Sequence, residues 1–478
     1  MVRGYKPPVP LKGHVFSYGK TDSGKTWKNL AITQYYYEQG YKIWDIYGGL
    51  RREGPFWCFP SDEITLWRNF LKNAGIDGFT GPKEYNVDLY IPYFKSKVPK
   101  EIPEKLPRIK SNVFTINFKD LTTKDISVVI GNVTNNQERI LKRIKNELPY
   151  NANGEDILNW FNETKTRKKM KRFPIYYAFF EPLCKEQLFE GKNGKFILDF
   201  KKIAKEKERI FVFVEDYISE EVYRFFFIHY LMRKIFELVN DDKIHKQNIL
   251  LLREINSFMK IDDESSQYRE QKQNLRNEFS NLLRYGRSGV FAICDTQSPK
   301  EVRGITPGQE GILCLNRLPG EKDREEACER PRKGGRMNST HVAYLGTMPI
   351  QEMAVLEQGK TIRKINHVQP PRTMGWKPDS GRFTTVWKRK YNEYKDIQDI
   401  KEKIEKMYQK SRELARLLND EEDEDYSDEN QEIPVEEQQE KKLLEEHKKK
   451  LESEKPVVNF SKEEEINEDF EEEKIRIV

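Results

Sequence analysis

No run of about eighteen apolar residues occurs in this chain of 478, so the sequence gives no reason to expect a membrane-spanning helix. Its opening, "MVRGYKPPVPLKGHVF", lacks the apolar stretch of a secretory signal. Cys58, Cys184, Cys294, Cys314 and Cys328 are scattered without a CxxC pair. Neither a disulfide framework nor a zinc site therefore has support, and a reducing compartment, the cytoplasm, is the expectation. Apolar residues are scarce as well: 37% are hydrophobic against 34% charged, which predicts a core inside a heavily charged surface and segments that never pack. No internal repeat with a period of about 20 to 50 residues is present.

Charge is what the chain has in quantity, and it is divided unevenly. The net +6 splits into +20 over residues 1–390, from 68 basic and 48 acidic side chains, and −14 over residues 391–478, from 16 and 30. A basic body of this size suits a polyanionic partner such as nucleic acid. The acidic tail is a separate object.

The N-terminal part reads as strand, glycine loop, helix, strand: "HVFSY", "GKTDSG", "KTWKNLAITQYYYEQ" ended by Gly40, then "YKIWDIY". Residues 55–107 are irregular and read as an insertion. "NVFTINF" is a further strand, "TNNQERILKRIKNEL" has helical spacing, and residues 164–173 are a basic run. Three more strands are predicted at 209–217, 248–255 and 289–297, with a buried crossover helix between the first two. Alternation of this kind predicts an α/β fold with a parallel sheet flanked by helices. After Tyr391, Ile397, Ile400, Ile404, Met407, Leu414 and Leu418 mark an amphipathic helix over 391–418, and residues 419–478 read as an acidic, largely disordered tail.

"GKTDSGKT", Gly19 to Thr26, fits the pattern G-x-x-x-x-G-K-[ST] and has a strand before it and a helix after it. Gly19, Ser23 and Gly24 let consecutive amides turn towards one anion, and the helix adds its positive end. Lys25 would reach the β- and γ-phosphates of a nucleotide, and the Thr26 hydroxyl would complete a magnesium shell. ATP and Mg2+ are the cofactors this loop calls for. A carboxylate at the end of a neighbouring strand is also needed, and Glu254 in "ILLLREI" competes for that part with Glu215 and Asp216 in "IFVFVEDY".

"LLRYGRSGVFAICDTQSPKEV", residues 282–302, resembles the segment of HerA/FtsK-superfamily DNA translocases in which a Gly-Arg turn feeds a strand ending in Thr-Gln. "IFVFVEDYISEEVYRFFFIHYLMRKIFELV" and "LGTMPIQEMAVLEQGKTIRKINHVQPP" are similar to other segments of that group, in the same order. The resemblance covers most of residues 10–372 and implies a RecA-like P-loop fold. It gives Lys25 and Thr26 the Walker A roles. Glu254, 43 residues before Gln297, becomes the Walker B base and a magnesium ligand, in preference to Asp216, 81 residues before it. Gln297 becomes the polar sensor: its neutral amide can donate to a phosphoryl oxygen and accept from the attacking water. Arg284 and Arg287 become candidates for an arginine acting across a ring interface. One departure stands out, because Arg253 occupies the position where the family usually has its magnesium-orienting Asp.

As a whole the resemblance implies an ATP-hydrolysing translocase of double-stranded DNA that acts as a homo-oligomeric ring, a hexamer. Its basic segments "TKTRKKMKR", "RPRKGGR" and "RFTTVWKRKY" would face phosphates. Gly19 lies too near the first residue for the N-terminal β-barrel of cellular HerA proteins. That points to the pared-down packaging or transfer motors of viruses and mobile elements, working in a host cytoplasm if viral. The helix at 391–418 would then dock a capsid or transfer-apparatus protein. Two other readings compete: a Zot-like morphogenesis or secretion ATPase, and a degenerate nucleotide-binding scaffold without motor activity.

Overall fold

The computed structural model describes residues 9–46, 57–74, 81–96, 108–131, 135–168, 174–189, 196–240, 247–259, 268–285, 289–299, 310–329, 339–357, 363–365 and 370–373, less a few positions inside these stretches, and scattered helical positions between 392 and 410. Its strands are β1 (His14–Tyr18), β2 (Lys42–Asp45), β3 (Val87–Pro92), β4 (Ile109–Thr115), β5 (Phe196–Ile197), β6 (Ile210–Phe213), β7 (Asn248–Leu252), β8 (Val290–Thr296), β9 (Glu310–Leu315), β10 (Met353–Glu357) and β11 (Arg363–Ile365). The helices are α1 (Lys25–Glu38), α2 (Ile64–Ala74), α3 (Thr123–Ile130), α4 (Asn135–Glu147), α5 (Gly154–Lys168), α6 (Pro174–Lys185), α7 (Phe200–Lys205), α8 (Glu221–Asn240), α9 (Asn256–Met259), α10 (Arg269–Tyr285), α11 (Glu321–Glu329) and α12 (Ser339–Thr347).

All eleven strands form one sheet in the order β11-β10-β9-β1-β8-β7-β2-β6-β3-β4-β5. The nine from β9 to β5 run parallel, and β10 and β11 close one edge antiparallel. With helices flanking it, this is a RecA-like P-loop architecture. Parallel strands are buried on both faces, which is why β7 reads as the continuous apolar run "NILLL" with all five residues buried. Alternation then sorts the core into two layers. Phe16, Leu250, Leu252, Ala292 and Cys294 pack with α3, α8 and α10, whereas Val15, Ile249, Leu251 and Ile293 pack with Leu30 and Ile32 of α1. His14 pins β1 in place, its Nε2–H donating to Leu283 O at 2.9 Å while Nδ1 accepts from the Ala292 N–H at 3.0 Å.

Part of the segment read as an insertion, 55–107, belongs to the sheet: β3 sits between β6 and β4. The strand expected from "NVFTINF" begins earlier, at Ile109, and ends at Thr115. Chain contacts divide the molecule after Lys395, and the described helical positions between 392 and 410, Ile404 and Met407 among them, are exposed. Among the described residues no helix is long and apolar enough to cross a membrane.

On one side of the sheet a buried ionic junction ties α3 to α8. Asp125 closes the capping box of α3 with Thr122. Its carboxylate also accepts from His229 Nδ1 at 2.8 Å and from Arg233 Nε and Nη2 at 3.0 and 2.7 Å. Burial alone would raise this carboxyl. The His229 hydrogen bond and the Arg233 charge outweigh burial and hold it well below the usual carboxylate range.

Candidate functional site

Three consecutive strands, β1, β8 and β7, end at the same edge of the sheet, and each runs directly into a segment that the sequence marks for chemistry. β1 leads into Gly19–Thr26, β8 into Gln297, and β7 into Arg253 and Glu254. Putting β8 between the other two seats these segments side by side although they are far apart in sequence.

The loop after β1 requires its glycines. A Cβ on Gly19 would stand 2.5 Å from Ser23 Oγ and 2.7 Å from Asn316 Cβ, so no larger residue fits. Gly24, at φ 76°, is left-handed at the entry to α1, and Asp22 is left-handed too, at φ 63°. Helix α1 has no side-chain cap and no acidic residue in its first turn. Ser23 Oγ is buried without a hydrogen-bond partner among the described residues. Lys25 is 8% exposed and its Nζ donates to Lys20 O at 3.1 Å, folded over the loop. Thr26 is half-buried one residue later. An uncapped helix end, an orphaned hydroxyl and a lysine beside them fit a phosphate group.

One turn on, Lys28 is fully buried. It donates to Ser23 O at 3.2 Å, Asn316 Oδ1 at 2.7 Å and Glu352 O at 2.7 Å, three acceptors for three protons. Burial pulls its pKa down to about 7, with Cys314 and Glu352 raising it and Lys25 lowering it further. Asn316, just past β9, donates in turn to Tyr18 O at 2.9 Å and Ser17 Oγ at 3.1 Å. Lys28 and Asn316 thus brace the loop from below. The sequence reading passed over both, since Lys28 reads as an ordinary helical lysine until β9 is placed beside it.

Arg253 turns away from any metal role. Its Nη2 donates to Asp45 Oδ2 at 2.7 Å, at the end of β2, with both side chains buried. Glu254, half-buried, is left-handed at φ 47°. Its N–H donates to Asp295 Oδ1 at 2.6 Å, and Asn29 of α1 donates to Asp295 Oδ2 at 3.4 Å. Asp295 is 1% exposed. Burial pushes its carboxyl up, while the Lys25 charge and the Glu254 N–H pull it down, so the loop lysine and this carboxylate feel each other. Sequence reasoning missed Asp295; its one signal was a carboxylate two positions before Gln297 at a strand end.

Gln297 is exposed immediately after β8, and Arg284 is exposed in the last turn of α10. Arg287 and Asp216 lie outside the described residues, as do the side chains of the basic run 164–173 and the segments "RPRKGGR" and "RFTTVWKRKY". Among the described residues no group of three or more His, Cys, Asp or Glu side chains forms a metal cage. A hydroxyl and one or two carboxylates beside a phosphate site nevertheless suit Mg2+, which takes much of its shell from phosphate and water.

Neither a protein-family model nor a curated protein matches the chain. Among solved structures it is similar to the bacterial conjugative coupling protein TrwB in an unbound form, at 12% identity over 78% of this chain and 92% of that one, with a TM-score of 0.45. VirB4 of Thermoanaerobacter pseudethanolicus is similar at 10% identity over 78% and 91%, with a TM-score of 0.47. The genome packaging NTPase B204 of Sulfolobus turreted icosahedral virus 2, in complex with ATP-gammaS, is similar at 10% identity over 36% and 73%, with a TM-score of 0.24. At these values the likenesses assign no role to any residue of this chain.

Proposed function

We propose that the chain is a P-loop ATPase that hydrolyses ATP to move double-stranded DNA, working as a ring of identical subunits in DNA packaging or transfer. One observation carries the ATPase reading. The Gly19–Thr26 loop, Glu254 and Gln297 leave the same ends of three neighbouring parallel strands, the geometry a γ-phosphate between loop, base and sensor requires. In this reading the loop amides and Lys25 bind the phosphates, and Ser23 and Thr26 supply hydroxyls to the same anion and its cation. Glu254 takes the proton of the attacking water, and the Gln297 amide orients that water. Thr26 and Glu254 would hold magnesium, which would supply positive charge to the phosphates. Arg284, exposed at the end of α10 where the chain enters β8 and so at the opposite edge of the sheet from Gln297, is the candidate to serve a neighbouring subunit, and Arg287 is the alternative. The DNA part rests on the +20 charge of residues 1–390, which suits contact with phosphates irrespective of sequence.

Steady-state hydrolysis with magnesium, with and without linear duplex DNA, tests both parts. Turnover that rises with DNA and falls about 100-fold or more in Lys25→Ala and Glu254→Gln supports the motor. Turnover indifferent to DNA favours a morphogenesis or secretion ATPase, and nucleotide binding without turnover favours a scaffold.

A further inference from the structure

We propose that Asp295 is the positioning residue for Glu254, holding it against the phosphate loop through the main chain. This rests on the ATPase reading above and adds to it a residue which that reading does not use.

Asp295 sits at a junction of three elements. Its Oδ1 accepts the Glu254 N–H at 2.6 Å, and its own main-chain oxygen accepts the N–H of Ile255 at 2.9 Å. Side chain and backbone of one residue therefore grip two successive amides of the turn after β7. That turn needs gripping, because Glu254 occupies the left-handed region at φ 47°, where a residue with a Cβ persists only if its surroundings hold it. The second carboxylate oxygen faces α1, accepting from Asn29 Nδ2 at 3.4 Å, one turn beyond the loop residue Lys25. The path Asn29–Asp295–Glu254 thus runs from the phosphate-loop helix through the central strand to the base. Arg253 does not provide such a link, being drawn the other way to Asp45.

The grip needs an acceptor oxygen rather than a negative charge, and this separates it from a metal-binding role. Asp295→Asn can keep an acceptor for the Glu254 N–H; Asp295→Ala cannot. The experiment compares wild type, Asp295→Asn and Asp295→Ala in the full-length protein for kcat, for the Kd of a fluorescent ATP analogue with magnesium, and for hydrogen exchange at the amides of Glu254 and Ile255. The expected result is a kcat lower by about 100-fold in Asp295→Ala, with a Kd within about threefold of wild type, faster exchange at the Glu254 amide, which loses its acceptor, than at Ile255, which keeps its main-chain one, and recovery of both kcat and protection in Asp295→Asn. Loss of kcat in Asp295→Asn as deep as in Asp295→Ala, with a raised magnesium requirement, would overturn the proposal and make the charge the working feature. So would unchanged kcat and exchange in Asp295→Ala. Wild-type protein that fails to hydrolyse ATP, while exchange still rises in Asp295→Ala alone, would support the grip and sink the ATPase reading instead.

Discussion

Two clusters of buried charge among the described residues are built differently. At the α3–α8 junction, Asp125 caps its own helix through Thr122 and fastens it to α8 through His229 and Arg233. Along the edge where β1, β8 and β7 end, Lys28, Asp295, Arg253 and Asp45 are buried in a region that also holds an orphaned hydroxyl, an uncapped helix and two left-handed non-glycine residues, Asp22 and Glu254. A network that satisfies itself is architecture. One that braces strained backbone and leaves a loop hydroxyl over suits a ligand that could use it.

The largest effect on stability belongs to the first region. Asp125→Asn keeps the volume but leaves buried Arg233 with only the half-exposed Glu237 as a counter-charge, and is expected to cost about 3–5 kcal/mol in denaturant unfolding. ATPase activity per folded molecule should not change, and a loss of turnover at full folding would erase the distinction between the two regions. Next comes Lys28→Met, which keeps most of the apolar stem and strands the acceptors at Ser23, Asn316 and Glu352. It should cost roughly 2–3 kcal/mol and also weaken nucleotide binding, because Ser23 belongs to the loop. A variant that loses stability alone would move Lys28 to the architectural class.

Acidity separates the regions again. Both Asp125 and Lys28 have folded-state pKa values below their unfolded ones, so each binds fewer protons when folded and each contribution grows as pH rises. For Asp125 the stability is fully present above the unfolded value of 3.8 and is lost in stronger acid. For Lys28 it is fully present above 10.5 and is lost as pH falls through about 7. Unfolding free energy should therefore climb between about pH 7 and 10.5 in the wild type and climb less in Lys28→Met, while Asp125→Asn should flatten only the acid limb. An identical slope above pH 7 in Lys28→Met would show that the buried amine does not titrate there.

What was legible in the sequence were the features written locally. The loop Gly19–Thr26, the apolar strands at β1, β6, β7 and β8, and the dense crossover helix α8 all announce themselves within a few residues. Strand β3 was read as part of an insertion because residues 55–107 are irregular as a whole, and within it Asp88 is a charge inside an otherwise apolar strand. That charge is tolerated only because Arg209, 121 residues away, bonds to it. Asp295 was hidden for the same reason, its partner lying 41 residues back across a strand pair. Arg253 was visible but not interpretable until Asp45, 208 residues earlier, stood beside it.

That last pair gives the smallest expected effect and the closest test of the contrast. Read in sequence, Arg253 is a cation where a magnesium-orienting carboxylate belongs, and it argues for a retired engine. In the fold its guanidinium is committed to Asp45 on the far side of β7 from the phosphate-loop strand, which makes it architecture inside the site's own neighbourhood. Replacing a buried ion pair by apolar residues of similar size is close to neutral, because the desolvation cost of both charges disappears along with their attraction. The double variant Arg253→Met, Asp45→Leu should therefore unfold within about 1 kcal/mol of the wild type and hydrolyse ATP within about threefold of its rate. A rate that rises by tenfold or more on removing the guanidinium would mean that Arg253 restrains turnover, and a rate that collapses at unchanged stability would bring it into the site.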